Sequence, residues 1–133
     1  KIFGNIDYFK TPKKIETKND KILEFVQIGN LKLKPFNRYG KPIPKLSWYP
    51  INYNQKSGYG SYILKFSPGG KSFKHKHLEL EEFLVLKGIL IDSDSTVFKA
   101  GDFITFKPGS SHFSFSKKGC LLLVFTRGHN KLL

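Results

Sequence analysis

The sequence predicts a single all-β domain built as a sandwich or a barrel. Short runs of β-branched and aromatic residues recur along its 133 residues, separated by turns rich in Gly, Pro, Asn and Ser. We find no convincing amphipathic helix and no internal repeat. The length allows one hydrophobic core, which must absorb many of the 13 Phe, six Tyr and one Trp.

The first 60 residues are expected to contribute one hairpin and a long loop. Residues 1–20 read as a short apolar start (Ile2, Phe3, Ile6, Tyr8) followed by an exposed loop. Residues 22–28 are rich in strand formers, Gly29-Asn30 suits a two-residue turn, and residues 31–34 alternate apolar and polar. Residues 35–60 hold four of the seven prolines, which predicts loop and edge structure.

From residue 61 onward the pattern becomes more regular and predicts most of the barrel. Turns are expected at residues 67–70 and 92–95 because Pro, Gly, Ser and Asp cluster there. The expected strands lie at residues 62–66, 72–77, 82–86, 88–91, 103–106, 111–115 and 120–126.

The single cysteine, Cys120, excludes an intrachain disulfide and suits a reducing compartment, so we expect a cytoplasmic protein. No run reaches the roughly 20 apolar residues of a membrane span. No secretory signal pattern is visible, although the sequence starts at Lys1 without Met.

The net charge of +13 raises the alternative of a nucleic-acid or anionic-membrane binder. Of the 23 basic residues, 21 are Lys and only Arg38 and Arg127 are Arg. Base readout and bidentate phosphate contacts favour Arg, and the lysines are spread along the chain without a recognition helix. We therefore expect a lysine-rich solvated surface and no nucleic-acid partner.

Three of the four histidines and a carboxylate lie between residues 75 and 112. His75 and His77 are two positions apart, so on a strand they point to the same face, about 6.5 to 7 Å apart. Two imidazoles so placed can converge on one ion at distances of about 2.0 to 2.1 Å. Isolated histidines are more often surface or satisfied core residues, and it is the combination with Glu81 and His112 that favours a metal site.

Glu81 has the same parity as His77 but would lie about 13 Å beyond it on a straight strand, at ~3.3 Å per residue. If Glu81 is a ligand, the chain must turn within residues 78–80, and Glu81 would then open an antiparallel strand beside His77. Glu79 and Glu82 are competing carboxylates. Glu82 would point to the face opposite Glu81, so at most one of these two is a ligand.

His112 follows a Pro108-Gly109 turn and must be brought to the site by closure of the sheet. If it points inward, the serines at 114 and 116 share its face. Phe113 and Phe115 then point outward and need cover from the N-terminal segment or a second subunit. His129 lies near the end of the sequence without such a context and is interpreted as a solvated tail residue.

These residues resemble the two motifs of the cupin superfamily. The first motif, Gly, His-x-His, Glu and Gly, is matched by Gly70, His75, His77, Glu81 and Gly88. The second, Gly, Pro-x-Gly-x-x-His and Asn, is matched by Gly101, Gly109 and His112, with Pro108 in its first x position. Lys107 stands where that motif has Pro, and Ser116 where Asn is usual.

The sequence is most similar to the ChrR-like branch, the cupin domain of the anti-sigma factor ChrR and related dioxygenase-like cupins. The resemblance covers residues 46–126 and is carried by stretches 64–69, 81–88, 108–112 and 116–120. Two departures matter: residues 1–45 offer no counterpart of the helical anti-sigma domain, and Glu79-Leu80 replaces the usual Gly-Gly.

The resemblance implies a double-stranded β-helix barrel, or jelly roll, that is often dimeric. It implies one divalent metal ion (Fe, Zn, Mn, Ni or Co) held by His75, His77, Glu81 and His112. Residues 46–133 would form the cupin core, and residues 1–45 would add strands and loops packed on the barrel. Two functions stay open: an oxygenase-type enzyme acting on a small molecule, or a non-catalytic zinc-binding sensor or binding module.

The apolar side of the site is expected from a set of large hydrophobic residues on the predicted strands. Such a pocket favours an apolar or aromatic small substrate, and no general base outside the ligands can be named. The expected pocket residues are Phe66, Phe83, Val85, Phe103 and Leu122.

Overall fold

The structure, a computed structural model, describes residues 14–38 and 40–133 and is built almost entirely of strands. The expected apolar start at residues 2–8 lies outside the described residues. The strands are β1 (Lys14–Lys18), β2 (Lys21–Phe25), β3 (Lys34–Arg38), β4 (Lys41–Asn54), β5 (Tyr59–Phe66), β6 (Gly70–Lys71), β7 (His75–Lys76), β8 (Glu81–Asp92), β9 (Val97–Lys99), β10 (Phe103–Phe106), β11 (Ser111–His112), β12 (Ser114–Ser116), β13 (Cys120–Arg127) and β14 (Lys131–Leu132).

All strand pairs are antiparallel, which confirms the predicted all-β class. The main sheet runs in the order β3-β4-β5-β13-β8-β12-β6, with β9 and β10 also paired to β8. A three-stranded sheet, β11-β7-β14, carries two of the histidines, and β1-β2 forms a separate hairpin. Among the described residues, no helix has the length and apolar character to cross a membrane.

The predicted hairpin at Gly29-Asn30 is wrong. That position lies in a short 3-10 turn, Ile28–Asn30, and residues 31–33 are not in a strand. The hairpin instead joins β1 and β2 through Asn19 and Asp20, whose φ angles are 51° and 60°. Asn and Asp tolerate this left-handed backbone better than other residues with side chains, so a two-residue turn forms there.

The loop predicted for residues 35–60 is also wrong, because most of this region is β3 and the 14-residue strand β4. Strand β4 pairs on both sides, with β3 and β5. Its pairing register shifts at Pro50/Asn52, and that of β3 shifts at Pro35/Asn37. The residues that the cross-strand register skips at these bulges are Ile51 and Phe36, each directly after a proline, and bulges are among the few places where a sheet contains proline. The expected division between the N-terminal segment, residues 1–45, and the cupin core, residues 46–133, lies within β4.

The hydrophobic core lies between the sheets and is rich in aromatic rings. Trp48 of β4 meets Phe36 and Tyr62 edge-on, with ring centroids 5.1 and 5.4 Å apart. Such edge-to-face pairs contribute about 0.5 to 1.5 kcal/mol each beyond the area they bury. The other buried apolar residues include Ile43, Leu46, Leu64, Phe66, Phe83, Val85, Leu90, Leu122 and Val124.

A glycine in the middle of β8 switches which side chains face the core. Gly88 has φ +83°, and the pairing of β13 with β8 shifts register beside it, between Leu121 and Leu122. A Cβ at position 88 would lie 2.3 Å from the carbonyl oxygen of Gly119, so only glycine fits. The buried side chains are Glu81, Phe83 and Val85 before the switch and Leu90 and Asp92 after it.

Candidate metal centre

Strand pairing brings His112 directly to His75. In the β11-β7 ladder, His112 is the cross-strand partner of His75. His77 follows β7 immediately and is anchored at both backbone groups: its N–H donates to Ser110 O at 2.8 Å, and its carbonyl accepts from the Gly109 N–H at 2.7 Å. The turn at Pro108-Gly109 therefore anchors His77, and it leads into the strand that carries His112.

The three histidines form a tight cluster at one end of the core. One ring nitrogen from each lies within 4.8 Å of the others. Nε2 of His77 is 2.8 Å from Nε2 of His112. The side chain of His77 is fully buried and that of His112 is 6% exposed, while His75 is half-buried. The structure therefore joins the three predicted histidine ligands in one place.

Hydrogen bonds fix the rings of His75 and His112. Nδ1 of His75 lies 2.7 Å from Phe73 O, and Nδ1 of His112 lies 2.6 Å from Oδ1 of Asp92. Since a carbonyl and a carboxylate oxygen only accept, each Nδ1 carries the hydrogen, and each Nε2 is left with a lone pair. Ser114 Oγ also donates to Asp92 Oδ1 at 3.1 Å and holds that carboxylate in place. Metal-binding histidines are oriented in this way.

His77 is held neutral by its surroundings. Burial lowers its pKa to about 3, and the neighbouring His75 and His112 act in the same direction, while the Asn130 side chain acts against them. Its ring stacks on Phe106, with centroids 5.0 Å apart and planes within 6°. Nδ1 of His77 is buried and makes no hydrogen bond of good geometry within the described part of the chain. A neutral imidazole is the form that binds a metal.

This donor set suits a divalent transition metal. Neutral imidazoles are ligands that Zn, Cu, Fe and Ni share, and three of them leave at least one coordination position open. Without an ion, the 2.8 Å contact between His77 and His112 requires one Nε2 to donate to the other, and then Nδ1 of His77 is an acceptor buried without a donor. The cluster therefore fits a metal better than it fits a core hydrogen bond.

Glu81 lies beside the cluster. The chain bends at residues 78–79 and Glu81 opens β8, so the predicted turn is present. Strand β8 pairs with β10 and β13 and not with β7, which corrects the expected pairing beside His77. Oε2 of Glu81 is 3.9 Å from Nδ1 of His77, and Asn130 Nδ2 donates to Oε1 at 3.4 Å. Glu81 stands outside the three-nitrogen group, so its role as fourth ligand stays a prediction.

A small cavity of about 70 Å³ opens in front of His75 and His112, with Glu81 in its wall. Phe66, Phe83 and Leu122 line it, and their role as a substrate pocket stays a prediction. Since a cavity needs about 10 to 15 Å³ to hold one water, this cavity holds a few waters or a small molecule.

Two of the expected pocket residues do not reach this cavity. Val85 is buried in the core but is not part of the cavity wall. Phe103 is 55% exposed, because alternation along β10 turns Ile104 and Phe106 inward and Phe103 outward. Thr105, the polar residue of this strand, shares the exposed face with Phe103, so the alternation along β10 did indicate which face is buried.

The serines and phenylalanines around His112 follow the predicted alternation. Ser114 and Ser116 are buried with His112, and Phe113 and Phe115 are half-buried on the other face. Lys71 covers the ring of Phe113, with its ammonium 4.4 Å from the centroid. His129 is exposed, as expected, and its Nε2 lies 3.0 Å from the carbonyl oxygen of Gln55.

Most of the chain matches one protein family. Residues 25–130 match the family described as the ChrR cupin-like domain. The chain belongs to this family. No protein of curated function is a significant sequence match.

Solved structures agree with the cupin fold. An acetylacetone dioxygenase from Acinetobacter johnsonii is 16% identical, with a TM-score of 0.68 over 88% of this chain and 82% of that one. The complex of SigE with the anti-sigma ChrR from Rhodobacter sphaeroides contains a chain 20% identical, with a TM-score of 0.58 over 75% of this chain and 51% of that one. A cupin-like protein of unknown function from Ralstonia eutropha is 16% identical, with a TM-score of 0.60.

Coverage differs among these relatives. The match to the Ralstonia protein covers 66% of this chain, which spans 63% of that protein's length. At identities of 16 to 20%, these similarities establish the cupin barrel.

Three residues of this cupin site were missed from the sequence. Asp92 was interpreted as part of a polar turn. It points inward because the alternation of buried side chains changes at Gly88, and the sequence pattern of a strand does not show such a change. Phe106 stacks on the rings of His77 and His112, and its parity with Ile104 was the available signal. Asn130 reaches the cavity from the end of the chain, where no motif marks it.

Proposed function

We propose that this cupin domain is a small-molecule metalloenzyme of the oxygenase type. One observation carries the proposal: three histidines bring one ring nitrogen each within 4.8 Å of the others, and two of them, His75 and His112, line a cavity with apolar walls. We assign His75, His77 and His112 as ligands and Glu81 as the fourth. A divalent ion held there would supply a Lewis-acid or redox centre with open positions.

The walls around the site set the conditions for such chemistry. Phe66, Phe83 and Leu122 give the cavity apolar walls, and electrostatic interactions are stronger beside such walls than in bulk water. Asp92 holds the imidazole of His112 in one tautomer, and Phe106 fixes the plane of His77. These groups place the ligands before any substrate arrives.

The cavity volume bounds the substrate. A volume of about 70 Å³ limits the substrate to a small molecule. The apolar walls favour an uncharged one. We therefore propose a small ketone or diketone, a class consistent with the fold shared with an acetylacetone dioxygenase.

Oxygen uptake tests the enzyme. Protein loaded with Fe(II) is mixed with a panel of small ketones and diketones, and oxygen consumption is followed with an electrode. We expect consumption that requires both the metal and one of the substrates and that is lost in His112→Ala. His129→Ala is the matched control, since His129 lies outside the cluster and should leave the rate unchanged.

The second candidate is a non-catalytic zinc-binding sensor or binding module. It is favoured by the deep burial of His77 and His112, which limits access to the site, and by the family, whose name comes from an anti-sigma factor. The ChrR relative was solved in complex with SigE. Tight zinc together with no oxygen uptake across the whole panel would decide for this candidate.

We also propose that the chain forms a homodimer. The outer face of the main sheet carries a row of apolar residues in register across β10, β8 and β13: Phe103, Leu84 and Leu123. Phe103 and Phe125 on this face are exposed. Sedimentation equilibrium should give twice the mass of one chain, and Phe103→Asp should shift the measured mass toward that of the monomer. A wild-type protein with the mass of one chain would contradict the proposed dimer.

We propose the cytoplasm as the location. The only cysteine is unpaired and buried, so no disulfide supports this chain and a reducing compartment suits it. Fractionation of the source cells with an antibody against the chain tests this, and recovery outside the cytoplasm would contradict it.

A further inference from the structure

A groove of about 740 Å³ lies on the outer surface and shares only Phe66 with the wall of the metal cavity. Its floor is apolar and comes from the segment after the N-terminal hairpin, from β8 and from β13. The main floor residues are Ile28, Leu33, Ile89, Ile91 and Leu121. Ile89 is 45% exposed and forms part of this exposed apolar surface.

Four lysines surround this floor. Lys65 of β5 and Lys87 of β8 are both cross-strand partners of Leu121, so they flank it on the same face of the sheet. Lys117 and Lys118 come from the turn between β12 and β13. All four are exposed, and none of the described residues that line the groove is acidic. The groove thus concentrates part of the +13 net charge around an apolar surface.

We propose that this groove binds an amphipathic organic anion, a linear apolar chain with one carboxylate head. The apolar chain would cover the isoleucine and leucine floor, and the head would lie among the lysine ammonium groups. A small polar anion would leave the floor in water, and an uncharged lipid would leave the lysines unused. The volume lies within the roughly 300 to 1,000 Å³ of small-molecule sites. Nucleic acid fits less well, since lysines spaced around an apolar floor offer no bidentate contacts.

Calorimetric titration of the full chain with laurate, below its micelle concentration and at low salt, tests the proposal. We expect saturable binding of about one laurate per chain. Dodecyltrimethylammonium, which has the same chain and a cationic head, and butyrate, which has the same head and a short chain, should bind at least tenfold more weakly. Equal binding of the cation, or of butyrate, would overturn the proposal. Binding of many laurates per chain would do the same.

Matched variants locate the binding. The pair Lys117→Gln with Lys118→Gln should weaken laurate binding about tenfold, since two exposed ion contacts are removed. The pair Lys56→Gln with Lys99→Gln removes the same charge outside the groove and should leave the affinity unchanged. Ile89→Ser should weaken binding, whereas Ile22→Ser, an exposed isoleucine on β2, should not. Equal effects of the groove and control variants would contradict this site; circular dichroism confirms that each variant is folded.

Discussion

Asp92 accepts a buried 2.6 Å hydrogen bond from Nδ1 of His112, a residue 20 positions later in the chain. The contact exists because the alternation of buried and exposed side chains along β8 changes parity at Gly88. Asp92 therefore points into the barrel beside His112. The bond fixes the tautomer that leaves Nε2 of His112 directed at His77. Asp92 is therefore a positioning residue that acts through His112.

Asp92→Asn should weaken metal binding about 10- to 100-fold while leaving the fold intact. The amide keeps the size of the side chain but loses the charge that orients and polarises the imidazole of His112. Competition with a chelator of known affinity measures the change. Asp94→Asn is the matched control, since the carboxylate of the exposed Asp94 accepts a hydrogen bond from the Thr96 N–H within its own turn. Equal metal affinity in the two variants would show that Asp92 has no role at the site.

Glu81→Gln tests the fourth ligand. If Glu81 binds the ion through a carboxylate oxygen, the amide should lower metal affinity by at least about tenfold, a loss of about 1.4 kcal/mol. Glu82→Gln changes the neighbouring side chain, which faces away from the core opposite Thr105, and should have no effect. A Glu81→Gln protein with wild-type metal affinity would leave a three-histidine site.

Gly88→Ala should destabilise the fold by at least about 3 kcal/mol. A side chain at φ +83° costs about 1 to 2 kcal/mol, and here the Cβ would also overlap the backbone of Gly119 and Cys120. Gly101→Ala is the control: its φ is +95° but nothing lies within 4 Å of the added carbon, so only the conformational cost applies. Urea unfolding compares the two. Equal losses would mean that the close approach at Gly88 is not a constraint.

Cys120 should resist alkylation in the folded protein. Burial raises its pKa to about 11, partly offset by hydrogen bonds from Ser116 and the Phe66 backbone. At pH 8 roughly one thiol in a thousand is then ionised, and the thiolate is the reactive form. Mass spectrometry after iodoacetamide treatment should find the folded chain unmodified and the urea-unfolded chain labelled. Rapid labelling of the folded chain would show that this region opens.

The histidine cluster could be predicted from the sequence because its geometry is mostly local. The i, i+2 spacing of His75 and His77 fixes their common face, and the turn at Pro108-Gly109 fixes the start of the strand that carries His112. The alternation of Ser114 and Ser116 with Phe113 and Phe115 followed from the same period of two.

What the sequence could not provide depends on non-local pairing. Strand β4 reads as a loop because of its prolines, and it is a strand because it pairs with both β3 and β5. Asp92 faces inward only because of the register shift at Gly88. The position of Glu81 depends on which strand β8 pairs with, which no local pattern specifies.

Metal content of the purified chain tests the central claim most directly. Plasma mass spectrometry of the wild type, with protein concentration from absorbance, should give about one divalent transition-metal ion per chain. The same measurement on His112→Ala should give a small fraction of that, while His129→Ala should match the wild type. A wild-type chain that folds normally and retains no metal, even after incubation with Fe(II) or Zn(II), would contradict the metal centre.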